Sequence, residues 1–225
     1  MIARVQSHSV DQLEAIARDL AHPFHEVAQN RFDSLKVAWE TFNVGAIVTN
    51  GETGAASAAM DSGALRYIPL TGFAQRGKIN ETGRVRDHHA PLLLEPDDRF
   101  STLHPDEVKQ QIEGCAPYAR RLLLREADEL NAQYSCAVVI MSPGDLVASN
   151  AVDIDRLRIF RERTHTHVCD FTGSPAQQGE ELAHFLSIRK PLFLNVVGPR
   201  ESLSETCLYS PYDQVKAILL KALRA

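Results

Sequence analysis

Three short apolar runs constrain what this 225-residue chain can fold into: Val44-Gly45-Ala46-Ile47-Val48-Thr49, Cys136-Ala137-Val138-Val139-Ile140-Met141 and Leu192-Phe193-Leu194-Asn195-Val196-Val197. Each is short for a helix, rich in β-branched residues and apolar at successive rather than alternate positions, which is the pattern of a strand covered on both faces. Covering both faces calls for helices above and below. The segments between the runs carry helical periodicity and are long enough to cross from one parallel strand to the next, with right-handed connections. The expected fold is a doubly wound α/β domain with a mainly parallel sheet, helices on both faces and a helical N-terminal lead-in.

The remaining elements follow from local patterns. Ser9 followed by Gln12 resembles a capping box, and Leu13, Ile16, Ala17 and Leu20 recur at helical spacing, predicting a first helix from near Ser9. Pro23 suits the first turn of a second helix through Val27, Phe32, Leu35 and Trp39 toward Phe42. Ala55 to Ser62 is helix-compatible, with Gly63 as its stop signal, and Leu65 to Ile68 reads as the second strand. A polar, glycine-punctuated excursion covers Thr71 to His89 before the apolar run Leu92 to Leu94. Later expectations are helices over Pro105 to Leu130, Val152 to Arg163, Pro175 to Ile188 and Pro211 to Leu223, and a strand over His167 to Phe171. Residues 1–43 are assigned to a helical N-terminal extension packed on the core and 44–225 to the ligand-binding domain. The aromatics of the extension, Phe24, Phe32, Trp39 and Phe42, would either cover a sheet face or form a homo-oligomer contact.

The charge balance narrows the partners. A formal net charge of −5 argues against a nucleic-acid surface, which needs a basic face to neutralise phosphates. The densest basic stretch, Arg156, Arg158, Arg161 and Arg163, alternates with Leu157, Ile159 and Phe160 and reads as the wet side of a helix. Arg4, Asp11, Glu14, Arg18 and Asp19 break any apolar run near the start, and no stretch reaches membrane-spanning length, so a cytoplasmic address without membrane association is expected. The four cysteines, Cys115, Cys136, Cys169 and Cys207, form no close pair and read as reduced packing thiols.

Ligands of parallel sheets bind beyond the carboxyl ends of the strands. Three such ends carry unusual loops: Asn50-Gly51-Glu52-Thr53-Gly54, Ser142-Pro143-Gly144 and Gly198-Pro199-Arg200-Glu201-Ser202. In the first, a glycine loop leads into a helix of small residues. That arrangement can present unpaired N–H groups and a Thr53 hydroxyl to an anion, although a tight strand-to-helix turn also needs glycine on conformational grounds. Glu52 would repel a phosphate beside it but could accept hydrogen bonds from a ribose or base, or orient a water. Arg200 is the cation best suited to an anionic ligand, and Arg76 and Lys78 could close over it from the excursion. His88-His89 and His165-x-His167 invite a metal reading, but no third ligand is visible in the sequence, and surface or capping roles are favoured. No metal or cofactor is assigned.

The strand, loop and helix around Asn50 to Gly54 resemble the glycine-glycine-glutamine-threonine-glycine loop of the family named putative molybdenum carrier proteins. Ala58-Ala59-Met60-Asp61 and Ile68-Pro69-Leu70-Thr71-Gly72-Phe73 are similar to the segments that follow in that family. Arg76-Gly77, Glu81 and Gly83 fall at its lysine-glycine-arginine and glutamate-aspartate-glycine positions, and Leu194 to Arg200 is similar to its leucine-asparagine-valine-alanine-glycine-proline-arginine segment. The resemblance covers roughly Val44 to Leu223. It implies a Rossmann-like fold of the superfamily that includes the lonely-guy phosphoribohydrolases and the DNA-processing protein A, whose members commonly bind nucleotides or molecules derived from them. The chain departs from the family loop at Asn50 and Glu52, and Leu146-Val147-Ala148-Ser149 stands where a leucine-threonine-glycine-glycine turn belongs. Of the phosphoribohydrolase signature only Pro143-Gly144-Asp145-Leu146 remains.

The expectation is therefore a binding protein for a small phosphorylated ligand, a nucleotide or an ADP-ribose-like molecule. Its candidate ligand-binding residues are Asn50, Gly51, Glu52, Thr53, Gly54, Thr71, Gly72, Arg76, Gly77, Ser142, Pro143, Gly144, Gly198, Pro199, Arg200, Glu201 and Ser202. The alternatives are hydrolysis of a nucleotide N-glycosidic bond, with Glu52 or Glu81 activating water, and carriage of molybdenum or molybdopterin.

Overall fold

The computed structural model describes residues 10–75, 77–78, 80, 82–96, 127–142, 165–201 and 210–224. Three helices lead in: α1 (Val10–Arg18), α2 (His25–Asn30) and α3 (Phe32–Phe42). They are followed by β1 (Ala46–Val48), α4 (Ala55–Leu65), β2 (Leu70–Thr71), a single 3-10 turn (Ala90–Leu92) and a helical segment over 127–133. Then come β3 (Ala137–Ser142), β4 (His165–Asp170), α5 (Pro175–Arg189), β5 (Phe193–Val197) and α6 (Pro211–Ala222). All strand pairs are parallel, in the order β2-β1-β5-β3-β4. The α/β fold with a parallel sheet agrees with the doubly wound expectation. Among the described residues no helix is long and apolar enough to cross a membrane.

The apolar runs form the central strands because both faces of the sheet are covered. Along β1 and β5, Ile47, Leu194 and Val196 join one core with Ala58 and Ala59 of α4, Leu182 and Leu186 of α5, and Val215, Ile218 and Leu219 of α6. Their neighbours Ala46, Val48 and Phe193 join a second core with Leu13, Ala28 and Leu35 of the lead-in helices and Phe24 just before α2. Adjacent residues thus serve opposite faces, as the pleat requires. The lead-in is also tied to the strand connections, since the Trp39 indole N–H donates to the Lys190 carbonyl at 2.7 Å, just before β5. Burial pushes the Cys136 thiol up to about 11 and the Cys169 thiol up to about 12, so neither ionises readily near neutral pH.

Three sequence expectations need correction. The second helix is two helices, broken at Arg31, whose φ of −127° and ψ of 22° leave the helical region. Gly63 does not stop α4 but lies inside it. A Cβ there would come 2.6 Å from Leu70 Cδ2 and 3.1 Å from Ile47 Cδ1, so the missing side chain lets the helix lie close on the sheet. The second strand starts at Leu70 rather than Leu65, because α4 runs on to Leu65, Tyr67 turns the chain with φ 56° and Pro69 precedes the pairing. The run Leu92 to Leu94 makes only an isolated parallel bridge, between Leu94 and Phe73. The expected helices over Val152 to Arg163 and most of Pro105 to Leu130 lie outside the described residues, as do Cys115, Cys207 and the arginines of the basic stretch.

His22 packs among the aromatics that join the lead-in to the sheet, edge-on to Tyr134 at 5.5 Å and stacked on Phe193 at 6.3 Å. Its Nδ1 accepts the Phe24 N–H at 3.1 Å, which requires that nitrogen to be unprotonated. Burial holds its pKa below the ordinary 6.5; Asp19 pulls it upward and His25 pushes it further down. A depressed folded value means stability that is present above 6.5 and lost as pH falls through the folded value. Urea midpoints should therefore fall as pH drops below 6.5, with a shallower fall in His22→Gln. Phe24→Ala, emptying a fully buried ring site, should reduce stability by about 3 to 5 kcal/mol in the same assay.

Candidate functional site

Because β1 and β5 are adjacent and parallel, with Val48 opposite Asn195, their carboxyl-end loops emerge side by side. Asn50 shapes the first loop: its Oδ1 accepts the Glu52 N–H at 3.0 Å in an Asx-type turn, and its Nδ2 donates to Asp128 Oδ1 at 2.7 Å. Gly54 then takes φ 63°, and a Cβ there would collide with the Pro199 carbonyl. The Ala55 N–H donates to that same carbonyl at 3.0 Å, while the Glu201 N–H donates to Thr53 Oγ1 at 3.1 Å. Gly198 completes the join, since a Cβ on it would lie 2.7 Å from that of Ala55. The two loops form one backbone-stitched unit.

The chemistry of this unit centres on Glu52, which is only 4% exposed. Its Oε1 accepts from Gln75 Nε2 at 2.6 Å, and its Oε2 faces Arg200 Nε at 3.6 Å. A buried carboxylate needs such partners to offset its lost hydration. Arg200 keeps a third of its side chain exposed, so it meets Glu52 on one side and solvent on the other. Asn50, Glu52, Asp128 and Arg200, with Ala56 and Val196 to Gly198, line a cleft of about 70 Å³. That is room for a few ordered waters or one small polar fragment. Two carboxylates can accept hydrogen bonds from hydroxyl or amine donors, and a guanidinium can bind an anionic group.

The other candidate residues divide into three groups. Gly51 faces packing, with a Cβ position 2.6 Å from Leu93 Cδ1, and Gly72 lies against the Thr49 backbone with φ 137° beside the buried Thr71. Glu201 is committed to α6, where its carboxylate accepts Ser210 Oγ at 2.8 Å and the Tyr212 N–H at 3.1 Å. Gly77 donates its N–H to Glu95 at 2.8 Å, and the Lys78 ammonium donates to the Ala90 carbonyl at 2.9 Å. Ser142 ends β3, where its carbonyl accepts the Phe171 N–H at 3.1 Å. Arg76, Glu81, Pro143, Gly144 and Ser202 lie outside the described residues. Sequence reasoning missed Gln75 and Asp128. Neither carries a local signal, because one falls in the polar excursion and the other on a helical segment distant in the chain, and only the fold brings them to Glu52 and Asn50.

Comparison with solved structures places one beside this chain: a crystal structure, at 1.45 Å resolution, of a putative molybdenum carrier protein from Syntrophus aciditrophicus SB. The TM-score is 0.57 at 21% identity, over 81% of this chain and 96% of the other. This likeness shows the fold. No family model matches the chain, and no curated protein matches it.

The stitched loops should be intolerant of a side chain at Gly54. Gly54→Ala, combining an unfavourable φ with a backbone collision, should lower unfolding stability by roughly 1 to 3 kcal/mol. Urea denaturation would measure this; an unchanged midpoint would show that the two loops leave room for a methyl group at Gly54.

Proposed function

We propose that this chain binds a nucleotide-derived phosphorylated ligand of the ADP-ribose kind at the carboxyl ends of β1 and β5. The observation that carries this reading is the buried Glu52 carboxylate set between Gln75 and Arg200 at the edge of a cleft that Asp128 also lines. A ribose offers hydroxyl donors to the carboxylates, which can only accept, while a phosphate suits the guanidinium. The loop glycines contribute close packing, and the polar side chains make the ligand contacts. Only one end of a nucleotide-sized molecule fits among the described lining residues.

The test is calorimetric titration with ADP-ribose, nicotinamide dinucleotide, AMP and ATP. Binding of at least one, weakened about tenfold or more by Arg200→Ala, an affinity loss of about 1.4 kcal/mol, supports the proposal. Glu52→Gln should weaken binding similarly by turning an acceptor into a partial donor. No heat with any of the four nucleotides would sink the idea. Product analysis of the same mixtures tests N-glycosidic hydrolysis, which requires free base or nicotinamide to appear in wild type and to vanish in Glu52→Gln. The solved structure of similar fold is described as a putative molybdenum carrier protein, so molybdate belongs in the panel as a separate ligand. Tight molybdate binding with no nucleotide binding would replace the nucleotide reading with the carrier reading.

A further inference from the structure

The excursion after β2 brings His88 and His89 against Asp61 of α4, and one ligand atom from each lies within 4.8 Å of the other two. His89 is 2% exposed, and its Nε2 has no hydrogen-bond partner among the described residues. That nitrogen stands 3.4 Å from Asp61 Oδ1. Two ligands of a tetrahedral zinc-type ion, bonded at about 2.0 to 2.2 Å, lie about 3.4 Å apart. The other carboxylate oxygen, Asp61 Oδ2, is already held by the Tyr212 hydroxyl at 2.6 Å and Arg86 Nη1 at 2.8 Å. Bonds of this kind orient a metal-binding carboxylate and leave its second oxygen to the ion.

We propose that Asp61, His88 and His89 form a binding site for a divalent first-row transition ion of the zinc class, independent of the nucleotide cleft. Two imidazoles and one carboxylate suit zinc, cobalt or nickel rather than magnesium or calcium, which prefer oxygen-only sets. The cations nearby, Arg86 on Asp61 and Lys216 on the Tyr212 hydroxyl at 2.8 Å, oppose an added positive charge. They place affinity below that of a closed structural site. His89 is held below the ordinary histidine value by burial and by His88, which outweigh the upward pull of Asp61, so a neutral ring is available near pH 7. Burial raises the Asp61 pKa, but the Tyr212 and Arg86 bonds and charges more than reverse this and keep it an anion. His88 is exposed, and solvent completes the coordination from that side.

Chelator-treated full-length protein titrated with cobalt(II) and zinc(II) provides the test. Wild type should take up one equivalent, show a visible cobalt d–d band and melt at a higher temperature with zinc. His88→Ala, which alters an exposed side chain, and Asp61→Asn should each weaken uptake about tenfold or more. His167→Gln, which changes the other histidine pair, should bind as wild type does. Absence of both the cobalt band and the zinc-dependent thermal shift in wild type overturns the proposal. So does unchanged affinity in His88→Ala, or loss of uptake in His167→Gln alone, which would move the ion elsewhere. All of these readouts are independent of nucleotide binding.

Discussion

Complete burial of β1 is the constraint on which the other features depend. Ala46, Ile47 and Val48 have no exposed surface, with β2 and β5 paired on either side and helices over both faces. A strand enclosed in this way can meet solvent only at its ends. The carboxyl end of β1 lies beside that of β5, so the Asn50 to Gly54 and Gly198 to Glu201 loops must share a small space. They do so by removing side chains where the backbones touch. The Ala55 N–H and Pro199 carbonyl form the hydrogen bond at the join. Loop geometry at the cleft is therefore a consequence of sheet packing.

The same packing separates two kinds of polar residue at this end of the molecule. Some hold structure in place: Thr53 receives the Glu201 N–H, and the Glu201 carboxylate caps α6. Others face a cleft, with the buried Glu52 supported by Gln75 and by Arg200, which keeps a third of its side chain exposed. Burying a carboxylate beside a guanidinium contributes little net stability compared with apolar packing of the same volume. The Asp61 cluster differs in origin. There a helix carboxylate is already fixed on one oxygen by Tyr212 and Arg86, and the fold brings an otherwise unpartnered imidazole nitrogen to the other.

Much of the architecture was legible in the chain because it rests on short-range pattern. Runs of successive apolar residues mark strands covered on both faces; β1 and β5 fall within such runs, and β3 extends one residue past its run, to Ser142. The errors arose where tertiary contact overrode local preference. Gly63 has the composition of a stop signal, but its closeness to Leu70 and Ile47 keeps it in a helix. Leu65, Tyr67 and Ile68 suggest a short strand, but Leu65 ends that helix and Tyr67 turns the chain, so pairing begins later.

For the site, the sequence by itself determined which strand ends carry glycine, proline and charge, and hence that Asn50 to Gly54 and Gly198 to Glu201 are unusual loops. Tertiary structure alone decided what those residues do. Gly51 and Gly54 face neighbouring atoms at packing distance, and Glu201 caps a helix, whereas Gln75 and Asp128, unremarkable in the chain, meet Glu52 and Asn50. The physical reason is range: backbone preference and hydrophobic period act over a few neighbours, while a hydrogen bond between residues 23 or 78 positions apart exists only once the sheet order has been set.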